Sequence, residues 1–188
     1  MKRSKITILL AIVLGMTFHS CLDLEPQDQL GGKNMWTSVN DYKQFANTFY
    51  SWTRDFSSVV YDGTHSDKRS DLITYQSYNE FSRGINSIPS SDANYTDNYK
   101  HIRRTNLLLQ NAEAYAKPED IKQYIGEAYF FRAYSYFDLL QLYGDVIITK
   151  KPLDITDPEM KVKRNDRSEV VDLIIDDLNH AVENLPAF

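Results

Sequence analysis

Gly126-Glu127-Ala128-Tyr129-Phe130-Phe131-Arg132-Ala133-Tyr134-Ser135-Tyr136-Phe137-Asp138-Leu139-Leu140-Gln141-Leu142-Tyr143-Gly144 decides the fold. The stretch is apolar on nearly every side and holds no proline, so it reads as a helix packed against neighbours all round. Small residues recur along it. Gly126 and Ala133 are seven apart, as are Ala128 and Ser135, giving two lines along which other helices can approach closely. Pro118 suits the first turn, Glu119 and Asp120 complement the positive helix end, and Gly144 stops the helix, so the expected span is about 118–143. Arg132, Asp138 and Glu127 inside such a helix are expected to be structural, as paired charges or carbonyl contacts, because isolated buried charges are costly.

Upstream, Val39, Tyr42, Phe45, Ala46, Phe49 and Tyr50 fall at helical steps and predict a first helix over about 39–54, with Ser38 as its N-cap. Tyr99, Ile102, Asn106, Leu109 and Ala112 share one face of a second, over about 96–116, ended by Lys117-Pro118. Asn106 is polar among apolar neighbours and reads as a buried amide bonded to an adjacent backbone. Downstream, Asp145 to Ile148 begins an extended piece that turns at Pro152. Ser168 is the expected cap of a fourth helix whose apolar face is Val171, Ile174, Leu178, Ala181 and Leu185, stopped by Pro186. The reading is all-α: four helices in two hairpins, the unit of tetratricopeptide-type superhelices, joined by a long irregular loop over 55–94. A loop of that length is functional or disordered, and its tyrosines favour a ligand-facing one.

The N-terminus sets the compartment. Lys2, Arg3 and Lys5 precede an apolar run from Ile6 to Phe18, and Ser20 stands before Cys21. This is the layout of a secretory signal, too short for a spanning helix. Cys21, the single cysteine of the chain, stands where a lipoprotein signal is cleaved and acylated. The competing reading, an ordinary signal cleaved elsewhere, leaves that lone thiol without a reason. Expected boundaries are residues 1–20 for the signal, 21–37 for a lipidated tether and 38–188 for the helical domain.

Of 21 basic residues three precede Cys21, leaving 18 against 26 acidic ones, a net charge of −8. An acidic surface without a basic stripe excludes nucleic acid as the expected partner, and leaves membrane attachment to the lipid. Aromatic content is high, with 13 Tyr, 9 Phe and 2 Trp, and such rings either fill helix interfaces or stack on ligand faces. Catalysis finds little support: the histidines lack ligand spacing, Asp176 and Asp177 point to different sides of a helix, and no carboxylate pair is spaced for glycoside hydrolysis. Neither a metal nor a cofactor is called for.

Several blocks together resemble one family. Cys21-Leu22-Asp23-Leu24-Glu25-Pro26, the run from Tyr99 to Asn106, Gly126 to Leu139, Leu142 to Val146, and Ile175-Asp176-Asp177-Leu178 with Ala181 and Leu185-Pro186 are similar to SusD/RagB-like lipoproteins of Bacteroidetes outer membranes. The resemblance implies a tetratricopeptide-like body that binds oligosaccharides at the cell surface, without catalysis, and passes them to a SusC-like TonB-dependent transporter. Such relatives are far longer, so it also implies that the chain corresponds to their N-terminal part, either as a fragment of a longer protein or as the product of a truncated gene.

Sugar recognition needs an aromatic platform and planar polar groups. The resemblance places such groups just before the second helix, where Tyr95 would supply the platform and Asn98 the amide. The alternative is Tyr95 packed under the loop and Asn98 in the first helical turn. It also points to an acidic hydroxyl acceptor near His65 to Tyr75, with Asp67 first, Asp71 second and Tyr75 beside them, each equally readable as part of a solvated turn. A second function class stays open, a helical-repeat scaffold binding peptide or protein partners at the outer membrane. Replacing Cys21 by serine is expected to abolish metabolic labelling with radioactive palmitate; a labelled Cys21→Ser protein would remove the lipoprotein reading.

Overall fold

The computed structural model describes residues 35–54, 84–85, 87–154 and 156–187. Residues from Trp36 on form one compact unit. Cys21, Asp67, Asp71 and Tyr75, singled out in the sequence, lie outside the described residues.

Helix α1, Val39–Asn47, starts on a capping box: the Asp41 amide donates to Ser38 Oγ, and Asp41 Oδ2 accepts from the Ser38 amide at 2.8 Å. Tyr42, Phe45 and Ala46 are buried. The α-helix ends earlier than expected and tightens into a 3₁₀ turn, Thr48–Trp52. Hydroxyls cause this: Thr48 Oγ1 donates to Phe45 O, Ser51 Oγ to Thr48 O and Thr53 Oγ1 to Tyr50 O, each competing for a carbonyl three residues back. The tighter winding keeps Phe49 buried and turns Tyr50 outward, against expectation.

Helix α2, Ala93–Glu113, begins three residues earlier than the spacing predicts, because Asp92 accepts from the Asn94 amide at 2.9 Å and caps it. Helix α3, Lys122–Tyr143, follows a 3₁₀ turn over Pro118–Ile121. It packs against both α2 and α4, Arg167–Asn184. Its end lies beside the beginnings of both neighbours, where Tyr143 OH donates to Asp92 and Asp145 accepts from the Arg167 amide, so α3 runs antiparallel to both α2 and α4. The small-residue lines do what their spacing requires: Gly126, Ala128, Ala133 and Ser135 are all buried. A Cβ on Gly126 would lie 3.0 Å from Leu185 Cγ and 3.1 Å from the Leu185 amide nitrogen. One part of α3 departs from the interior reading, since Phe130 and Phe137 are exposed.

Helix α4 corrects two expectations. Its cap is Asp166, in a capping box with Glu169, and not Ser168. Its buried face is Val170, Leu173, Ile174, Asp177 and Ala181, leaving Val171, Leu178, Ile175 and Val182 outward. The helix is rotated relative to its apolar pattern because Asp177, fully buried, is drawn inward by Arg132. Arg132 donates from Nε (2.8 Å) and one terminal nitrogen (2.6 Å) to the two oxygens of Asp177, and from the other terminal nitrogen to Asn106 Oδ1 at 2.7 Å. The planar guanidinium matches the carboxylate in two parallel bonds, which a lysine cannot do. Of the other interior charges, Asp138 is paired with Arg54, whereas Glu127 accepts from Gln123 Nε2 at one oxygen and keeps Oε2 buried without a hydrogen bond among the described residues.

Gly144 ends α3 at φ 71°, a region favouring glycine, and a Cβ there would meet the Arg167 guanidinium at 2.8 Å. The chain then crosses the helices as an extended strap over 146–153. Val146 is buried and forms an isolated antiparallel bridge with Asn165. Five side chains pin the strap through its backbone. Tyr99 OH donates to Ile147 O, Asn165 Oδ1 accepts from the Ile148 amide, and Tyr136 OH exchanges bonds with the Thr149 amide and carbonyl. Asn106 Nδ2 donates to Thr149 O and Lys151 O, and Arg103 Nε to Leu153 O. Asn106 thus bonds to backbone as expected.

Removing one partner of the buried pair leaves the other charge dry. Asp177→Ala is expected to lower the unfolding free energy by about 3–5 kcal/mol, read from the urea midpoint; a loss below 1 kcal/mol would mean the pair is effectively solvated.

Candidate functional site

Where the strap passes over the first turns of α2 it leaves a cleft of about 400 Å³. Tyr95, Tyr99 and Arg103 lie one turn apart on α2 and form one wall; Ile147, Lys151 and Leu153 of the strap form the other, and Glu159 and Met160 close one side. The aromatic wall is stiffened from behind. Tyr95 packs against Tyr99 with centroids 4.8 Å apart and stands edge-on to Tyr143 at 5.2 Å. Tyr143 donates to Asp92 Oδ2 at 2.7 Å, and this bond, reinforced by the Asn94 amide, holds the Asp92 carboxyl below its usual range despite burial. Tyr99 is pushed well above the usual phenol range, first by burial and then by Tyr95, so it stays a neutral donor to Ile147 O.

The charged groups at the rim are partly committed. Lys151 Nζ pairs with Glu159 at 2.7 Å, Lys100 with Asp97 at 2.8 Å, and Arg103 lies 3.6 Å from Asp154. All three are exposed pairs, which exchange readily with water or a ligand. The cleft therefore offers two phenol rings, apolar strap side chains and donors that can be recruited at the edge.

Of the residues picked out in the sequence, Tyr95 is half-buried and lines this cleft, while Asn98 does not. Asn98 is buried and its Nδ2 donates to Asn94 O at 2.8 Å, so its amide is spent on its own helix. Tyr99 had been assigned to a packing face, and it serves both packing and cleft. Lys151, Leu153, Glu159 and Met160 come from fifty or more residues downstream, and no local pattern links them to Tyr95.

On another side of α2, His101 stacks on Trp52, with ring centroids 4.1 Å apart and planes 12° from parallel. Burial lowers the His101 pKa, with Arg104 and Lys100 adding to the effect and Asp97 opposing it. The unfolded chain, with an ordinary value near about 6.5, takes up the proton first as pH falls. The stability tied to neutral His101 is therefore present above about pH 6.5 and declines as the pH drops toward the lower native value. His101→Gln is expected to lose less stability than the wild type between about pH 7 and 5, measured by urea unfolding; equal losses would refute the assignment.

The sequence matches a SusD-like family described as starch-binding and associating with the outer membrane, over residues 22–188. It is 28% identical to SusD-like protein P38 of Formosa agariphila, across 98% of this chain and 38% of that protein. It is 27% identical to SusD-like protein P2 of the same organism, across 99% of this chain and 39% of that one. The chain thus spans less than two-fifths of the curated relatives it matches. Among solved structures, a SusD-like protein from Bacteroides fragilis superposes with a TM-score of 0.66 at 24% identity, covering 87% of this chain and 32% of that one. A SusD-like carbohydrate binding protein from Bacteroides fragilis superposes at 0.59 and 19% identity, covering 81% and 33%. The two likenesses establish a common all-α, tetratricopeptide-like fold.

Proposed function

This chain belongs to the SusD-like family, and on that premise we propose that it is a non-catalytic, lipid-anchored, carbohydrate-binding protein of the outer membrane that captures oligosaccharides for a SusC-like TonB-dependent transporter. The observation that carries the reading is the cleft walled by Tyr95 and Tyr99. A pyranose ring presents C–H groups on one face and hydroxyls around its rim, so it is matched by an aromatic wall with movable polar groups at the edge. Tyr95 provides such a wall, and Lys100, Arg103, Lys151 and Glu159 provide the edge. The relation to a family described as starch-binding points the same way.

The lining supports capture over cleavage. Glu159 is the carboxylate among the described lining residues, and it is held by Lys151. Glycoside hydrolysis uses two carboxyl groups facing each other across the bond. Attachment through Cys21 and delivery to the transporter rest on the signal-like N-terminus and the resemblance in sequence. Asp67, Asp71 and Tyr75 remain candidates for the ligand's other contacts.

Full-length protein titrated with neutral oligosaccharides is expected to bind at least one of them, and Tyr95→Ala to weaken that binding about tenfold or more. Isothermal titration calorimetry reads both. Binding of peptides with no response to any oligosaccharide would replace this reading with that of a peptide-binding scaffold.

A further inference from the structure

A second cleft, of about 330 Å³, lies on the other side of the strap, where the end of α2, the middle of α3 and the end of α4 converge. It is lined by Leu109, Gln110 and Glu113 of α2, Tyr129 of α3, His180 of α4 and Lys150 of the strap, with Arg132 at its base. Three features set it apart from an ordinary crevice.

Its base carries spare hydrogen-bonding capacity in a dry place. Arg132 is 5% exposed, and three of its five N–H groups are spent on Asp177 and Asn106. Two N–H groups remain on a guanidinium that borders the cleft. Tyr129 covers the guanidinium at 5.2 Å and stacks against His180 with centroids 4.8 Å apart, giving a rigid aromatic corner. At the mouth, Lys150 and Glu113 are both exposed and neither has an ion-pair partner among the described residues. A cation and an anion are thus both uncommitted at one opening, with the Gln110 amide beside them and Asp176 and His180 opposite.

We propose that this cleft is a second saccharide site, one that takes a neutral, hydroxyl-rich sugar unit. Each hydroxyl both donates and accepts, so a ring of hydroxyls satisfies carboxylates and ammonium groups together, whereas a purely anionic ligand meets Glu113 and Asp176 and a purely cationic one meets Arg132 and Lys150. Lys151 borders both clefts, so the strap is the ridge between them. One chain then carries two places for one kind of ligand, and the gain is in avidity for a polymer. That the ligand is a carbohydrate rests on the function proposed above; the site itself rests on different residues.

The test uses full-length protein and two probes, maltotriose and the trimer of galacturonic acid, titrated by calorimetry. Wild type is expected to bind two equivalents of maltotriose. The double variant Lys150→Ala with Glu113→Gln alters exposed side chains only and is expected to bind one, while Tyr95→Ala keeps the other. The galacturonate trimer is expected to bind the second cleft at least about tenfold more weakly than maltotriose. If the double variant keeps the wild-type stoichiometry and affinity while Tyr95→Ala loses binding, the second site is refuted and the first reading stands. If wild type binds no oligosaccharide, both are refuted.

Discussion

Arg132 and Asp177 form a bidentate ion pair in the middle of the helical layer, and the placement of everything around it follows from satisfying that pair. Two charges removed from water are tolerable when they face each other in good geometry and further hydrogen bonds support them. Asn106 of α2 takes a third N–H of the guanidinium, and its amide then reaches the strap carbonyls. Three helices and the strap are therefore locked in rotation by one chain of contacts, Asp177 to Arg132 to Asn106 to Thr149. An apolar interface tolerates a helix turned by a residue; this one does not, because a turn of α4 would strand both charges. Specificity of packing is what the pair contributes here, with dispersion and burial by Tyr136, Phe131, Ile102 and Leu139 supplying the bulk of the stabilisation.

How much of this could be read from the residues divides along physical lines. The four helices, the small-residue seams of α3, the Ser38 cap and the glycine stop are consequences of local rules, and the chain obeys them. The α4 face is where reading failed. Apolar periodicity assigned Val171 and Leu178 inward, yet a buried aspartate outranks both, since a lost ion pair costs more than two exposed aliphatic side chains. Arg132 and Asp177 had each been noticed, as an interior charge and as half of an adjacent acidic pair, but nothing in a linear pattern says that they meet. The same holds for the cleft. Tyr95 was reached through the family resemblance, and it lies in the first turn of α2 on the cleft wall; Lys151 and Glu159 reach it through the fold, and Asn98, a good candidate by type, is turned back onto its own helix by one hydrogen bond.

The two clefts share an origin. Both are spaces that the strap leaves as it crosses helices whose spacing is fixed from below, and both have walls made rigid by side chains already committed to structure. Tyr99 and Tyr143 stiffen Tyr95 while holding the strap and the α2 cap; Arg132 gives the second cleft its base while locking α4. Preorganisation of this kind lowers the entropic cost of binding any flexible ligand that enters either cleft.

The hydrogen bonds that fasten the strap at Ile147, Ile148, Thr149, Lys151 and Leu153 engage its main-chain atoms, while the Ile148 side chain also packs on the core. Any amino acid save proline offers the same amide and carbonyl, so the identity of the cleft-lining Ile147, Lys151 and Leu153 is largely released from the duty of holding the fold. Drift at such positions would recolour the walls of both clefts while the scaffold beneath stays fixed, so the chemistry of the cleft surfaces can change without a cost to folding.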